Sequence, residues 1–593
     1  MMLEKNKLKS KLFEESFDFD IPYLTHQIIP YIGNKRKLLT LIYSALKLIF
    51  GENFRGKRFL DPFAGSGVVS RLAKYLGFEV DANDWEPYSY VINYAYLTIN
   101  KSDLENLYYS MGGIDVIISH LNNPESVPEG DQYIARFYSP KSDDNPDYRK
   151  ERLFYTRSNG LTIDRIRNEL ERLYPKDDIN SNEELMKEKN LLLAILLYQA
   201  ATHTNTSGVF KAYHKGFGGF SGDALSRILK PISMERPVLI DSLYTQRVFC
   251  EDANVLVTSG PLASRFYDVV YLDPPYNQHQ YGSNYHMLNT IALWDKPLLH
   301  ETSGNDCFEK AGGGAGKAAI RRDWIKTRSD YCYRDRATAA FMNLISSLET
   351  DHIIVSYSTE GIIPFEELIR ICSTQGRVSL ITNEYVKYPG GKQSIKRVSH
   401  NIEFVIVVER GKKMLVSDLE LVQDAIQGRK LNLQLKSSYV RERLFREFII
   451  DRDRERIGYT TDGYILWLQT LGFFKICEYD LNSKIEGLSL PEGTIRRLRN
   501  HLLVKLRLCE CGDKVEELDE VIKAASQEKT GSKQLVSFIP GILRKMAHKK
   551  YKALFYSSME KVKEFCKRYP EKCYRIEKKL TGLEELAMKR FSG

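Results

Sequence analysis

The chain has 593 residues, which is too long for one ordinary domain, so we expect two or three domains. Hydrophobic residues make up 43% of the sequence and charged residues 27%, a mixture that argues against wholesale disorder. The longest apolar run, Leu191 to Ala201, is too short to span a bilayer, and the N-terminus has no apolar signal core. We therefore expect no membrane association and a cytoplasmic protein.

The nine cysteines are scattered, which in a chain of this length is typical of reduced thiols. Cys509 and Cys511 lie close together, but no second pair follows at the spacing of a metal site, so we expect no bound metal. The formal charge of +9 is concentrated at one end, because residues 541–593 hold fifteen Lys and Arg against six Glu. Such a segment suits a polyanionic partner, and the alternative is a solvated helical face.

Residues 59 to 100 predict a strand, a glycine turn, a helix and a second strand in succession. Arg58-Phe59-Leu60-Asp61 is typical of a short buried strand and Ala64-Gly65-Ser66-Gly67 of a turn. Val68 to Leu76 has the pattern of an amphipathic helix, and Phe78-Glu79-Val80 begins the second strand. This βαβ opening predicts a parallel sheet that is covered on both faces.

The same pattern returns after residue 245. Strand-like runs are Val248-Phe249-Cys250, Val269-Val270-Tyr271-Leu272, Ile353-Ile354-Val355-Ser356 and Phe404-Val405-Ile406-Val407-Val408. Residues 101–244 have a mostly helical and polar pattern, 303–320 that of a loop, and the chain after about residue 412 that of charged helices to its end. We predict an α/β fold with a Rossmann-like, mostly parallel sheet built from residues 1–100 and 245–412. A helical insertion would occupy 101–244, and a mainly helical C-terminal domain 413–593.

The first candidate site is the turn Asp61-Pro62-Phe63-Ala64-Gly65-Ser66-Gly67. A strand that ends in an acid and continues through glycines into a helix brings backbone close to a ligand at the carboxyl edge of the sheet. The turn lacks the Lys-Ser/Thr pair of a phosphate-binding loop, and its acid suits a positive ammonium better than a phosphate. Taken alone, such a turn is as often only a tight connection as it is a nucleoside site.

Further acids follow the neighbouring strands. In Ala82-Asn83-Asp84-Trp85-Glu86 a carboxylate is placed to accept both ribose hydroxyls of a nucleoside. The register favours Asp84, with Asp81 and Glu86 as alternatives. Asp252 follows the strand at 248–250 and is placed to accept a hydrogen bond from an adenine amino group.

The most specific pattern is Asp273-Pro274-Pro275-Tyr276, which directly follows the buried strand at 269–272. The prolines remove two N–H donors, so the Pro274 carbonyl stands as an acceptor beside the Asp273 carboxylate. Two acceptors without a donor suit an NH₂ group that must be held and made nucleophilic. Tyr276 offers a flat face on which a base can stack. The alternative is an ordinary Pro-Pro turn, which the hydrophobic strand and the upstream Asp61 turn disfavour.

Taken together, the motifs resemble the Dam-like class of adenine-N6 DNA methyltransferases. Members carry an aromatic-x-Gly-x-Lys motif, an Asp-Pro-Phe-x-Gly-x-Gly turn and Asp-Pro-Pro-Tyr in that order. Here they are Tyr31-Ile32-Gly33-Asn34-Lys35, Asp61-Pro62-Phe63-Ala64-Gly65-Ser66-Gly67 and Asp273-Pro274-Pro275-Tyr276. The resemblance covers residues 28–100 and 245–410 well and the insertion more weakly.

The resemblance implies S-adenosylmethionine as the cofactor and a methyltransferase sheet as the fold. The cofactor-binding residues that it implies are Tyr31, Gly33, Lys35, Asp61, Pro62, Phe63, Gly65, Gly67, Asp84 and Asp252. Lys35 would bind the carboxylate of the cofactor, Asp61 would face its methionine part, Asp84 its ribose and Asp252 its adenine. The catalytic residues would be Asp273, Pro274, Pro275 and Tyr276, which would hold the target base.

The resemblance also implies double-stranded DNA as the partner. Lys211, His214 and Lys215 lie in a glycine-aromatic-basic stretch that is similar to a loop near the DNA in Dam-like enzymes, with a flexible surface loop as the alternative. Lys392, Lys396 and Arg397 precede the last strand and are candidates for phosphate contacts. The insertion at 101–244 is the predicted target-recognition region. Residues 413–593 match no known pattern, so a target-recognition module, a second enzymatic domain and a docking domain are the alternatives, and the basic end of this segment favours DNA contact. The resemblance further implies a protein of bacterial, archaeal or phage origin.

The expected reaction is direct methyl transfer to the amino group of a flipped-out adenine in a restriction-modification or related defence system. We expect a monomer, with a cognate restriction endonuclease as a candidate partner. Methylation of cytosine N4 or of RNA, and a nucleic-acid-binding protein that has lost activity, are the alternatives. Asp rather than Ser before Pro-Pro-Tyr and the order of the motifs favour adenine.

Overall fold

The computed structural model describes two compact units. The described residues are 19–219, 222, 224–299, 318–382, 402–423, 425–426, 448–451, 456–461, 464–471, 475–479, 514–527 and 536–592. The first unit spans Met1–Asn383 and Glu403–Asp418, and the second spans Glu384–Ile402 and Leu419–Gly593. Among the described residues, no helix has both the length and the apolar character needed to cross a membrane.

A seven-stranded sheet forms the centre of the first unit. Its strands are β1 (Arg58–Asp61), β2 (Glu79–Asn83), β3 (Gln246–Phe249), β4 (Phe266–Leu272), β5 (Glu349–Ser358), β6 (Arg377–Thr382) and β7 (Glu403–Glu409). They follow the order β3-β2-β1-β4-β5-β7-β6, and β7 runs antiparallel to both of its neighbours. All other pairings are parallel. The mostly parallel sheet confirms the predicted fold class.

The order of the strands places a topological switch between β1 and β4. From β1 the chain continues outward to β2 and β3, and it then returns to the other side of β1 as β4. Loops that leave the carboxyl ends of two such strands diverge and open a crevice, where ligands bind in open α/β sheets. The Asp61 turn follows β1 and the Asp273 motif follows β4, so the topology brings both predicted sites to one crevice.

The helices of the first unit cover the sheet and form the insertion. They are α1 (Pro22–Thr25), α2 (Leu39–Phe50), α3 (Val68–Leu76), α4 (Pro87–Thr98), α5 (Ile114–Asn122), α6 (Ile134–Tyr138), α7 (Arg157–Leu173), α8 (Lys176–Ser181), α9 (Glu183–Thr202), α10 (Leu225–Leu229), α11 (Ala253–Thr258), α12 (Tyr281–Asn284), α13 (His286–Leu293), α14 (Ala337–Ser347) and α15 (Phe365–Gln375). Short 3₁₀ turns occur at Lys35–Leu38, Ser102–Glu105, Tyr109–Met111, Glu129–Asp131, Asp323–Ile325 and Asp330–Cys332.

The region predicted as a helical insertion, residues 101–244, is helical wherever it has regular structure among its described residues. Its long helix α9 buries the apolar run Leu191–Leu197 against α4 and α13 in one hydrophobic core, so this run is a core segment. Asp164 on α7 is buried and accepts hydrogen bonds from the backbone N–H groups of Ile134 and Ala135, which fixes the start of α6. The insertion belongs to the same compact unit as the sheet.

A buried arginine anchors the segment that precedes the first motif. Arg71 lies on α3, is 1% exposed, and donates hydrogen bonds to the carbonyl oxygens of Tyr23, His26 and Gln27. Its guanidinium stacks on the Tyr96 ring, 3.6 Å from the ring centroid. These contacts satisfy carbonyls that do not belong to a helix or strand ladder, and they fix the chain a few residues before Tyr31.

The second unit contains a small sheet and a group of helices. Strands β8 (Phe448–Asp451), β9 (Arg456–Thr461), β10 (Tyr464–Leu471) and β11 (Lys475–Tyr479) form an antiparallel sheet in the order β11-β10-β9-β8. The helices are α16 (Lys514–Gln527), α17 (Ile539–Met546), α18 (Lys552–Arg568), α19 (Pro570–Cys573) and α20 (Glu577–Ser592), with a 3₁₀ turn at Lys549–Tyr551. Helices α16, α17, α18 and α20 share one apolar core.

The prediction that the chain is helical from about residue 412 to its end is wrong for residues 448–479. Tyr464–Leu471 is rich in aromatic and aliphatic residues, and Tyr464 pairs with Thr461 across Asp462-Gly463 in the sequence. Asp-Gly between two strand-forming segments is a strong signal for a tight hairpin. The prediction missed this signal because the flanking segments are highly charged and their composition favours helix. The described part of the second unit is otherwise helical.

We expect Arg71→Met to lower the free energy of unfolding of the first unit by about 3 kcal/mol, because three carbonyls would lose a buried donor. Urea unfolding measures this change. The control is Arg172→Met, since Arg172 is an exposed partner of Glu169 on α7 and its loss should leave the free energy of unfolding nearly unchanged. Equal destabilisation by the two substitutions would contradict the anchoring role of Arg71.

Candidate active site

A cleft of about 760 Å³ lies at the crevice between β1 and β4. Its lining residues are Tyr31, Ile32, Gly33, Pro62, Phe63, Asn83, Asp84, Trp85, Glu86, Glu251, Asp252, Ala253, Asp273, Pro274, Pro275, Tyr276, Gln280, Tyr281, Thr327, Ser329 and Tyr331. Ten residues that the sequence predicted for cofactor binding or catalysis are among them.

The turn after β1 holds its backbone open toward the cleft. Gly65 and Gly67 have φ values of +53° and +77°, and a Cβ on Gly67 would lie 2.5 Å from Asn93 Oδ1. Neither glycine lines the cleft, so they shape the turn rather than contact the ligand space. Asp61 is buried beneath the turn, where its carboxylate accepts from Ser70 Oγ at 2.7 Å and from the Phe63 N–H at 3.3 Å. Burial raises the pKa of Asp61 to about 7.

The acids after β2 have distinct positions. Asp84 lines the cleft and accepts from the backbone N–H of Gly65 at 2.7 Å and of Glu86 at 2.9 Å, so it joins the turns after β1 and β2. Glu86 also lines the cleft, and burial raises its pKa to about 8. Asp81 is 1% exposed and is bound by the guanidinium groups of Arg247 and Arg265, which leaves it a structural role.

Asp252 follows β3 and caps helix α11, where its Oδ1 accepts from the N–H groups of Asn254 and Val255. It lines the cleft near an aromatic pair in which Phe63 and Tyr331 meet edge to face at 5.2 Å. The Tyr331 hydroxyl donates to Asn254 Oδ1 at 2.7 Å, which holds its ring against this side of the cleft. The arrangement combines a carboxylate with two rings, a surface suited to a heterocyclic ring that carries an amino group.

An ion pair joins the first motif to the last. Lys35 Nζ lies 3.1 Å from Asp273 Oδ1, and the side chains are 4% and 16% exposed. Burial raises the pKa of Asp273 to about 6, although the Lys35 ammonium opposes this rise. Burial alone would lower the pKa of Lys35, but the Asp273 carboxylate outweighs it and the pKa lies above its ordinary value. Both groups are therefore charged at neutral pH.

The rest of the Asp-Pro-Pro-Tyr motif is held from strand β5. The Tyr276 carbonyl accepts from the Ile362 N–H at 3.1 Å, and the Tyr276 ring meets the Tyr357 ring edge to face at 5.7 Å. The Lys35 ammonium lies 5.0 Å from the centroid of the Tyr276 ring. Tyr276 is 6% exposed and, like Pro274 and Pro275, it contributes to the wall of the cleft.

Tyr31 and Gly33 form a second wall. The Tyr31 ring packs against both Tyr281 and Tyr285 at centroid distances of 5.3 and 5.0 Å, and these two rings lie 6.1 Å from each other, so the three form one cluster. The Tyr285 hydroxyl accepts from the Ile32 N–H at 2.7 Å. Gly33 has a φ of +79°, and a Cβ there would lie 3.4 Å from the Tyr276 hydroxyl. Glycine therefore suits both the backbone and the close approach to the Asp273-Pro274-Pro275-Tyr276 motif.

The lining of the cleft is acidic. Five carboxyl groups line it, those of Asp84, Glu86, Glu251, Asp252 and Asp273, and no Lys, Arg or His is among the described lining residues. The Lys35 ammonium balances Asp273, and burial raises the pKa of Glu86 to about 8, so this group is largely protonated at neutral pH. Such a lining disfavours phosphate groups and favours a ligand with positive charge and hydrogen-bond donors. The described residues include no cluster of three or more His, Cys, Asp or Glu that would hold a metal ion.

The family model of the D12 class of N6-adenine-specific DNA methyltransferases matches residues 31–312. The chain is 30% identical over 386 residues to the type II methyltransferase M.NlaIII of Neisseria lactamica. The match covers 64% of this chain and 99% of that protein. The chain belongs to this class of adenine-specific DNA methyltransferases.

Other relatives are larger. The modification methylase LlaI of Lactococcus lactis subsp. lactis is 30% identical over 385 residues, and the type II methyltransferase M.FokI of Planomicrobium okeanokoites is 30% identical over 354 residues. The match covers 54% of LlaI and 47% of M.FokI, so this chain spans about half of either protein. No solved structure matches the chain.

The residues predicted to contact DNA are only partly described. Lys211 follows Phe210, whose N–H donates to the Asn284 carbonyl, so this segment of the methyltransferase packs beside α12 a few residues after Tyr276. The His214 N–H donates to the Asn205 carbonyl, and Lys215 is exposed with its ammonium 5.4 Å from the centroid of the Tyr148 ring. None of these three lines the cleft. Lys392, Lys396 and Arg397 lie outside the described residues.

Sequence reasoning missed one wall of the methyltransferase cleft, which Thr327, Ser329 and Tyr331 form. Gln280 holds this wall, because the Ser329 N–H donates to Gln280 Oε1 at 2.9 Å and Gln280 Nε2 donates to the Ser329 carbonyl at 3.3 Å. These residues lie outside the motifs that the sequence analysis identified, and no local pattern indicated them. Trp85 and Glu251, in contrast, flank residues that the sequence did select.

We expect Lys35→Met to move the acid limb of the methyl-transfer rate to higher pH by about one unit or more. In the wild type the ionised form of Asp273 is lost as the pH falls through about 6, and removal of the ammonium leaves burial to raise that pKa further. Single-turnover rates between pH 5 and 9 measure the limb. Arg36→Met, an exposed substitution in the same 3₁₀ turn, is the control and should leave the limb in place. An unmoved limb in Lys35→Met would show that the ammonium does not act on Asp273.

Proposed function

We propose that the cleft binds S-adenosylmethionine beside a flipped-out adenine and that Asp273 and the Pro274 carbonyl hold the amino group of that adenine. The acidic lining carries this proposal, because it suits a ligand with a sulfonium, an ammonium and ribose hydroxyls and opposes the phosphates of a dinucleotide. The cofactor supplies a reactive methyl group on its sulfonium and requires no metal.

The chain orients this cofactor with residues of three loops. Asp84 and Glu86 after β2 are the acceptors for the ribose hydroxyls, and Asp252 after β3 is the acceptor for the adenine amino group of the cofactor. Phe63 and Tyr331 enclose the adenine ring, so Tyr331 joins the predicted set. Asp61 acts on the methionine part only through the Phe63 backbone that it holds, and Gly65 and Gly67 act only by shaping the turn. Tyr31, Gly33, Lys35 and Pro62 complete the site.

Lys35 has two partners in this proposal. Its ammonium is bound to Asp273 in the structure, and the same ammonium is the cation predicted for the carboxylate of the cofactor. A Lys ammonium has three donors, so it can keep Asp273 ionised and accept a second carboxylate as a partner. Lys35 is then a positioning residue for the catalytic carboxylate as well as a binding residue.

Asp273 and the Pro274 carbonyl act on the target amino nitrogen. Hydrogen bonds from both N–H groups to these acceptors favour a pyramidal nitrogen whose lone pair points toward the methyl group. The N–C bond forms in line as the bond from the methyl carbon to sulfur breaks, and the nitrogen then releases one proton, for which Asp273 is the adjacent base. Stacking on Tyr276 offsets part of the few kcal/mol needed to flip the base.

We expect Asp84→Asn to weaken binding of S-adenosylmethionine about tenfold or more, because a ribose acceptor and the link to the Gly65 N–H are both altered. Calorimetric titration of the full chain measures the affinity. Asp268→Asn is the matched control, since Asp268 lies at the start of β4, binds the Arg58 N–H and is not part of the cleft. Equal affinities of the two variants would remove Asp84 from the site.

The biological setting of the proposal is a restriction-modification or related defence system. Relatives named as type II methyltransferases and modification methylases support it, and they come from bacteria and from a chlorella virus. The double-stranded DNA substrate would be contacted by the insertion at 101–244 as the target-recognition region, with Lys211, His214, Lys215, Lys392, Lys396 and Arg397 as contacts. A monomeric cytoplasmic enzyme with a cognate restriction endonuclease completes the proposal.

The decisive experiment is transfer of labelled methyl groups to unmethylated genomic DNA, followed by separation of the product nucleosides. We expect label in N6-methyladenine and a loss of about 10²–10³-fold or more in the rate with Asp273→Ala, because a charged acceptor at the reacting nitrogen is removed. The Asp273→Ala protein should still bind the cofactor, which separates a lost acceptor from a lost fold. Label in N4-methylcytosine or in RNA, or an unchanged rate in the variant, would overturn the assignment of substrate or of residue.

A further inference from the structure

The net positive charge of this enzyme is located at its C-terminal end. Residues 541–593 hold fifteen Lys and Arg against six Glu, a balance of +9 that equals the formal charge of the whole chain. Residues 1–540 are therefore neutral in sum. Double-stranded DNA is a dense polyanion, and a protein that binds it gains affinity from each phosphate that it neutralises.

A group of five cations lies where α17 ends and α18 begins. Arg544 and Lys545 occupy the last turn of α17, Lys549 and Lys550 lie in the following 3₁₀ turn, and Lys552 is the first residue of α18. All five are exposed. The sequence from Ile539 to Met559 contains no Asp or Glu. We refer to these five residues as the α17–α18 basic corner.

No carboxylate among the described residues forms an ion pair with the basic corner. Further along α18 the situation differs, because Lys561 is bound by Asp519 at 2.9 Å and Lys563 by Glu584. Carboxylates of the same unit therefore neutralise lysines in the middle of α18 and leave its beginning uncompensated. At the corner, the Arg590 guanidinium donates to the Ala547 carbonyl at 2.8 Å. This contact places the basic C-terminal turn of α20 beside the corner.

Helix electrostatics do not account for the corner. Arg544 and Lys545 lie at a helix C-terminus, where cations interact favourably with the helix dipole. Lys549, Lys550 and Lys552 lie at the N-terminus of α18, where the dipole disfavours cations. Burial lowers the pKa of Arg590 and the nearby charge of Arg544 lowers it further, which shows like-charge repulsion at this corner. A folded unit that retains this repulsion gains from an external anion.

We propose that the α17–α18 basic corner is a second DNA contact, which binds the phosphate backbone without reading sequence. The proposal rests on DNA as the substrate and assigns a partner to a unit whose role is otherwise open. Lysines act as point charges that suit phosphates along a backbone, and such contacts raise affinity and position the protein on the duplex. The partner is duplex DNA rather than a membrane or an acidic protein, because the first unit acts on DNA.

The test compares two triple variants of the full chain that lose the same charge. One is K549Q/K550Q/K552Q, and the control is K567Q/K578Q/K579Q, whose residues are exposed on α18 and α20. Lys578 lies about 18 Å from Arg590 along α20, and Lys567 lies about 22 Å from Lys552 along α18. The control substitutions are therefore distant from the basic corner. Circular dichroism verifies that both variants fold.

Duplex affinity is measured as a function of salt. For the corner variant we expect at least tenfold weaker binding at low salt and a decrease of about 2–3 in the slope of log K against log salt, since each lost phosphate contact removes about 0.9. The control should change the slope by less than about 1. An unchanged slope for the corner variant, or equal changes in both variants, would overturn the proposal, as would binding lost for RNA or anionic vesicles but retained for duplex DNA.

Methyl transfer at saturating DNA, measured with the same samples, separates this proposal from the proposed function. We expect the rate of the corner variant to equal that of the wild type, because no residue of the corner belongs to the cleft. A wild type that binds duplex DNA with the expected salt slope but produces no N6-methyladenine would refute the reaction and leave the DNA contact standing. A corner variant with normal affinity and normal methylation would refute the contact alone.

Discussion

The ion pair between Lys35 and Asp273 is the constraint on which the site depends. An acceptor for an amino group must be shielded from water to act strongly, yet burial of a carboxylate favours its neutral form, which would donate rather than accept on one oxygen. The ammonium of Lys35, 3.1 Å away, opposes that effect and keeps Asp273 charged at neutral pH. The pair also joins two segments that are far apart in the sequence, so the site forms only when the N-terminal segment is in place.

Several contacts hold that N-terminal segment, and each comes from an element that also carries part of the site. Arg71 on α3, the helix that follows the Asp61 turn, binds the carbonyls of residues 23–27. Tyr281 and Tyr285, on the chain that follows Tyr276, both pack against the Tyr31 ring. The first motif is thus fixed from the carboxyl ends of both β1 and β4. A change in either loop should therefore shift the position of Lys35. The motifs at 31–35, 61–67 and 273–276 thus form one cooperative unit rather than independent contacts.

Much of this arrangement could be predicted because it follows from local patterns. The bounds of β1 and α3 agree with the predicted ones, and the acids after β1, β2, β3 and β4 meet because parallel strands share a carboxyl edge. The partner of Lys35 could not be predicted, because only the folded chain brings residue 35 to residue 273. The wall of Thr327, Ser329 and Tyr331 is held by tertiary hydrogen bonds to Gln280, and the hairpin at 456–471 lies in a charged region whose composition suggested helix.

The acidic lining of the cleft opposes the binding of DNA, so other parts of the chain must attract the DNA backbone. The acidic lining favours the proposed cationic cofactor, but it repels the phosphates that accompany every target base. A flipped adenine is neutral and enters such a cleft without electrostatic repulsion, whereas the backbone on either side of it must be attracted by other surfaces. Residues 1–540 carry no net charge, so this attraction has to come from local groups of cations rather than from the overall field. A positive segment remote in sequence from the cleft can supply affinity for DNA without weakening the electrostatics that the cofactor and Asp273 require.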